Sequence, residues 1–173
     1  MLPRATLEIP GPTRRLDRIL DLIAACRYSF HDLSRVQLSR SGAPRFNMPF
    51  EAGLAVAIAR SRPDHQWFLL EARAHRMQKT LSDLGGTDPY IHRNSPRQLL
   101  VALTDALVRV ARQPTLDELD EVFQLLRTEA NAIRRSHGTL FGTRAFRDLV
   151  VVAVDFATRR TATPRAGGDQ PRV

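Results

Sequence analysis

The amino-acid sequence predicts an α/β fold, a doubly wound parallel sheet of three or four strands followed by a helical extension. Three observations lead there. Up to Arg112 short apolar runs alternate with stretches of helical period, the pattern of successive βαβ units. The run Tyr28-Ser29-Phe30-His31-Asp32-Leu33-Ser34 starts aromatic and ends polar, as a buried parallel strand does when its carboxyl end reaches functional groups. After Gln113-Pro114 the period becomes purely helical.

Taken in order, Arg4 to Ile9 alternates weakly before the turn Pro10-Gly11-Pro12 and reads as a short strand or extended lead-in. Leu16, Ile19, Leu20, Leu22 and Ile23 recur at three and four, which predicts an amphipathic helix to Ala25. The strand Tyr28 to Ser34 follows, then a polar loop, Arg35 to Pro44, long enough to move. The next helix, Asn47 to Ala59, has Asn47 as its cap and Pro49 in its first turn. Gly53, Ala55 and Ala57 should let a neighbour approach. Gln66 to Glu71 is a second apolar strand. Ala74 to Leu84 has helical composition stopped by Gly85-Gly86, and Pro89 to His92 is a short strand. Ser95 and Pro96 cap and open a helix to Arg112 with Leu99, Leu100, Leu103, Leu107 and Val110 inward. Thr115 caps a long helix to Arg135, with Leu119, Val122, Phe123, Leu126 and Ile133 inward. A last helix covers Thr143 to Thr158, although Val150-Val151-Val152 also suits a strand. The expected organisation is an α/β domain over 1–112, a helical extension over 113–160 and a disordered tail over 161–173, rich in Pro, Gly and charge.

Composition narrows the partners. All but Lys79 of the 26 basic residues are arginine, and the net charge is +8. These arginines are scattered among acidic residues from Arg4 to Arg172, whereas a nucleic-acid footprint gathers on one face beside stacking aromatics, so nucleic acid is disfavoured. The lone Cys26 excludes an internal disulfide, argues against a zinc cluster and fits a reducing cytoplasm. No stretch approaches the roughly 20 apolar residues of a membrane span, and no signal peptide is recognisable.

Ligands of doubly wound sheets bind beyond the carboxyl ends of the strands, and Asp32, Ser34 and Glu51 fall at such positions. Glu51, expected in the first turn of an otherwise apolar helix, is either a catalytic carboxylate or a charge complementing the helix dipole. A helix start should lower its pKa. Asp32 holds a ligand or caps the following loop, and Ser34 is a ligand contact or a turn residue. Arg45, beside Asn47, binds phosphate or pairs with Asp32. His31 and His92 read first as satisfied strand residues. Asp83 with Gly85-Gly86 could suggest a phosphate loop, but neither GxxxxGK[ST] nor GxGxxG occurs, so the glycines read as a helix stop; no cofactor or metal is expected. No Ser/His/Asp triad can be assigned without geometry.

The segments RYSFHDLSR, PRFNMPFEAGLAVA and TLSDLGGTDPYIH resemble a bacterial family with the flavodoxin/Rossmann-like fold of nucleoside 2-deoxyribosyltransferases and TIR domains, over roughly Arg4 to Arg112. Within it, Glu51-Ala52-Gly53-Leu54-Ala55 matches an E-x-G-x-A pattern. The resemblance implies that Glu51 attacks or stabilises the anomeric carbon of a ribose, with Asp32, Ser34, Arg45 and Asn47 holding a nucleoside or nucleotide. Where deoxyribosyltransferases place an Asp six residues before the glutamate, this chain has Arg45. The lead-in Phe46-Asn47-Met48-Pro49-Phe50 likewise replaces the Ser-x-Trp-Cys style of NAD-cleaving TIR domains. Relatives also begin with a strand, a helix and an Asn-Cys-Pro-Phe-Asp-like loop before the point where Met1 stands. A chain without them would expose a sheet edge and cover it as a homo-oligomer. Two other readings stand beside the enzyme: a non-catalytic nucleotide sensor signalling through Thr115 to Thr158, and an interaction protein whose site has decayed.

Overall fold

The computed structural model of the chain describes residues 3–5, 14–35, 42, 45–107 and 113–162, with side chains as far as 159. The chain divides into two compact units, Gly11–Asp120 and Glu121–Val173 with Met1–Pro10. The first holds α1 (Arg15–Ala25), β1 (Tyr28–Asp32), a 3-10 turn (Leu33–Arg35), α2 (Asn47–Ser61), β2 (Gln66–Glu71), α3 (Arg76–Thr80), a second 3-10 turn (Ser82–Leu84), β3 (Tyr90–Ile91) and α4 (Pro96–Ala106). Helix α5 (Leu116–His137) crosses the division, and α6 (Thr143–Ala162) lies in the second unit. Among the described residues no helix is long and apolar enough to cross a membrane.

The three strands are parallel in the order β1-β2-β3, with Tyr28 opposite Gln66, Asp32 opposite Leu70 and Leu70 opposite Tyr90. Strand alternation places Ser29, His31, Trp67 and Leu69 on one face and Tyr28, Phe30, Phe68 and Tyr90 on the other. Against the first face pack Ala52 of α2 and Met77 of α3, in one cluster with Leu33 and Leu69, while Ala55 joins Ile19 and Ile23 of α1 in a second. Both connections between strands therefore use the same face, as they must when strand order advances in one direction. On the other face the aromatic rings form a ladder: Phe30 and Phe68 stack at 5.0 Å, Tyr28 and Phe68 at 6.3 Å, and Tyr90 meets Phe68 edge-on at 6.1 Å.

The parallel sheet alternating with helices agrees with the sequence reading, and among the described strands the order does not reverse. Several local expectations are corrected. The N-cap of α2 is Phe46, with no side-chain bond, so Asn47 does not cap it. Of the small residues expected to let a neighbour approach, Ala55 does so, together with Ala52, both 0% exposed, whereas Gly53 faces open space and Ala57 is exposed. The helix expected over Ala74 to Leu84 is only α3, because His75 enters it at φ 61° and Leu81 leaves it at φ −137°. The chain then turns once more, and Gly86 takes φ 89°, which favours glycine.

Capping follows the sequence in the later helices. Ser95 accepts from the Gln98 N–H at 3.4 Å with Pro96 beside it, and Thr115 and Glu118 form a reciprocal capping box at 2.8 and 3.2 Å. The buried positions of α4 are Ala102 and Ala106, with the leucines only half-buried. In α5 only Ile133 is buried, Val154 of α6 is exposed, and Val150-Val151-Val152 are helical. Most of the lead-in Arg4 to Ile9, most of the loop Arg35 to Pro44, the end of the α4 helix and the tail beyond residue 162 lie outside the described residues; Pro3 to Ala5 form no strand, and α6 continues to Ala162.

Candidate functional site

At the carboxyl end of β1 the chain leaves the sheet through a tight turn that buries Leu33 and Ser34 but keeps Asp32 half-exposed. The Ser34 N–H donates to Asp32 Oδ1 at 2.9 Å, the aspartate-centred turn expected of a loop cap. At the end of β3 the next residue, His92, is buried, and the chain reverses through Arg93 and Asn94, both left-handed at φ 52° and 57°. This turn closes with the Ser95 N–H on the His92 carbonyl at 2.9 Å and directs the Asn94 N–H at His92 Nδ1, 3.2 Å away. With Nδ1 accepting, the neutral ring carries its proton on Nε2. That nitrogen lies 2.8 Å from Ser34 Oγ and 3.4 Å from Asp32 Oδ1. Three polar side chains from two strand ends thus meet.

Burial alone would raise the Asp32 pKa. Hydrogen bonds from the Ser34 hydroxyl and backbone N–H, and from His92, outweigh it and hold the carboxyl below its usual range. With its proton on Nε2, His92 donates to Ser34 Oγ, while Asp32 Oδ1 accepts from the Ser34 backbone N–H. This is not a hydrolytic triad, because serine and carboxylate share one ring nitrogen and the other accepts from the backbone. The arrangement presents an ionised, half-open carboxylate with a fixed hydroxyl and an imidazole donor behind it, a group suited to accepting hydroxyl protons of a ligand.

Below it sits an ion pair that the sequence reading missed. Glu71, closing β2 at 1% exposed, is held by Arg76 at 2.6 and 2.9 Å and by the Ala72 and Arg73 N–H groups at 2.6 and 3.2 Å. The Arg76 guanidinium also donates to the Leu33 carbonyl at 2.8 Å, so one side chain ties the end of β1 to the end of β2. A carboxylate closing an apolar strand was the visible signal, the same one that marked Asp32. Also missed were Phe46 and Phe50, exposed at 67% and 52% where α2 begins, at the edge of the sheet where β1 ends. Met48 between them packs on the cluster containing Leu33.

The other candidates are placed apart. Glu51 is the fifth residue of α2, so it stands in the second turn and not the first. Its pKa is raised by burial against an opposing pull from Arg15, the reverse of the expected lowering. Among the described residues no hydrogen bond or ion pair joins Glu51 to Asp32, Ser34 or His92, nor Arg45 to Asp32. Arg45 and Asn47 are exposed at the start of α2. His31 belongs to a different network, in which its Nε2 lies 3.1 Å from Ser29 Oγ, Ser29 Oγ 3.1 Å from His65 Nε2, and His65 Nδ1 2.9 Å from the Cys26 carbonyl. Asp83 lies in the second 3-10 turn. No group of three or more His, Cys, Asp and Glu able to hold a metal occurs among the described residues. Compared with protein-family models, curated proteins and solved structures, the chain gives no match.

Proposed function

We propose that the α/β unit binds a nucleoside or nucleotide at the carboxyl ends of its strands, with Asp32 accepting the ribose hydroxyls. One observation carries this reading: the Asp32 carboxylate, held ionised by Ser34 and His92, stays half-exposed at the edge where parallel sheets take their ligands. Phe46 and Phe50 offer apolar surface to a base at the same edge, and Arg45 and Asn47 offer donors to a phosphate. The doubly wound Rossmann-like arrangement belongs to the same proposal, since a further strand on the free side of β1 would place the reversal of winding beside Asp32. The resemblance of its sequence to deoxyribosyltransferase-like and TIR-like proteins would extend the reading to cleavage or transfer at the N-glycosidic bond, with Glu51 as the carboxylate. A carboxyl whose pKa is raised by burial suits proton donation to the leaving base better than nucleophilic attack.

The second reading, a non-catalytic nucleotide-binding module, is favoured by Glu51 keeping company with Arg15 and not with the Asp32 cluster. Titration calorimetry with adenosine, AMP and NAD, followed by chromatography for free base, separates them. Both readings expect saturable binding that weakens at least ~10-fold in Asp32→Asn. Base release abolished in Glu51→Gln establishes the enzyme, and binding without release establishes the module. Absence of binding to the native chain refutes both.

A further inference from the structure

Helices α5 and α6 leave apolar side chains open, with Val151 and Val154 exposed and most apolar residues of α5 half-buried. They are tied where His137 Nε2 meets Asp148 Oδ2 at 2.7 Å, and they leave an apolar groove of about 400 Å³ lined by Phe123, Leu126, Ala130 and Leu149, with Arg127 beside it. Among the described residues of this pair of helices, only Ile133 and Ala145 are buried. On α6 the run Leu149-Val150-Val151-Val152 spreads its side chains through a full helical turn, so a single neighbouring helix cannot cover them, and Val151 is 65% exposed.

We propose that this surface is where two copies of the chain associate, their α5 helices antiparallel about a two-fold axis near Arg127. Charge along α5 selects the occupant. Its first turns carry Asp117, Glu118, Asp120 and Glu121, and its second half carries Arg127, Arg134 and Arg135 against the single Glu129. A helix laid antiparallel on its own copy brings the acidic half of each onto the basic half of the other. Leu116, Asp120, Phe123, Arg127, Ala130 and Arg134 recur at four and three and so share one stripe of the helix, on which Asp120 meets Arg134 of the second copy twice. Asp120 and Arg134 form no ion pair among the described residues. The two Arg127 side chains at the axis are long enough to run outward over the partner's Phe123. At 22 residues, α5 offers its copy a stripe ~33 Å long.

The full chain should sediment at twice its mass at ~10 µM. Asp120→Arg and Arg134→Asp, each alone, should raise the dissociation constant at least ~10-fold with unchanged far-UV circular dichroism, and an equimolar mixture of the two should restore the dimer. A native chain that stays monomeric overturns the proposal. So does a dimer indifferent to both substitutions, which would assemble through a sheet edge, and so does a mixture that fails to recover.

Discussion

The molecule contains two serine–imidazole pairs built on β1 and the turn that ends it, and they come to opposite ends. Ser29 lies within the strand on the helix-covered face, where His31 and His65 are both buried and the network terminates on the Cys26 carbonyl. With the His65 ring donating to that carbonyl, the Ser29 hydroxyl donates to His65 and accepts from His31, so every proton is spoken for. Burial, and then the neighbouring His65, lowers the His31 pKa to about 4. Ser34 lies five residues on, beyond the strand, and its imidazole partner His92 completes a network that ends on a carboxylate. The first pair is a closed structural device. The second keeps an ionised group facing out, and that open end, not the serine or the histidine, makes it a candidate site.

The largest expected effect comes from removing the staple beneath the second pair. Arg76→Ala leaves Glu71 buried without its counter-charge, held only by the Ala72 and Arg73 N–H groups, and should cost about 3–5 kcal/mol in urea unfolding, whereas Glu71→Leu with Arg76→Met should recover most of the loss. Equal destabilisation by the double variant would show that packing alone is at stake. Next is acid. The His31 pKa is depressed in the folded chain, so the neutral ring is tolerated above the ordinary value of 6.5, and stability falls as pH drops from there to about 4. The full span approaches roughly 3 kcal/mol, and His31→Gln should flatten it in melts taken across that range. Asp32 works in a lower window: its depressed pKa gives stability that is present above 3.8 and lost as pH falls through the folded value.

Smaller changes sharpen the contrast. Ser29→Ala should lower stability by about 1–2 kcal/mol and leave nucleoside binding unchanged, while Ser34→Ala should raise the Asp32 pKa and weaken binding. Carboxyl carbon shifts followed by NMR against pH read the second effect directly. The smallest is Arg93→Gly, which relieves a left-handed backbone and should stabilise by about 0.5–1 kcal/mol. A loss of stability there would mean that the Arg93 side chain holds the turn.

Much of this was legible in the sequence by itself: the alternation of strands and helices, the caps at Ser95 and Thr115, and Asp32 and Ser34 as strand-end polar groups depend on neighbours along the chain. Periodicity and capping act within a few residues, so a linear reading reaches them. Only the tertiary structure decided which groups meet. His92 stands 58 residues from Ser34, Arg76 reaches back 43 residues to Leu33, and Glu51, though better placed by pattern, makes no hydrogen bond or ion pair with the Asp32 cluster among the described residues. Such pairings are set by strand register and by which helix face is buried, and these come from packing across the sheet, which the local sequence does not encode.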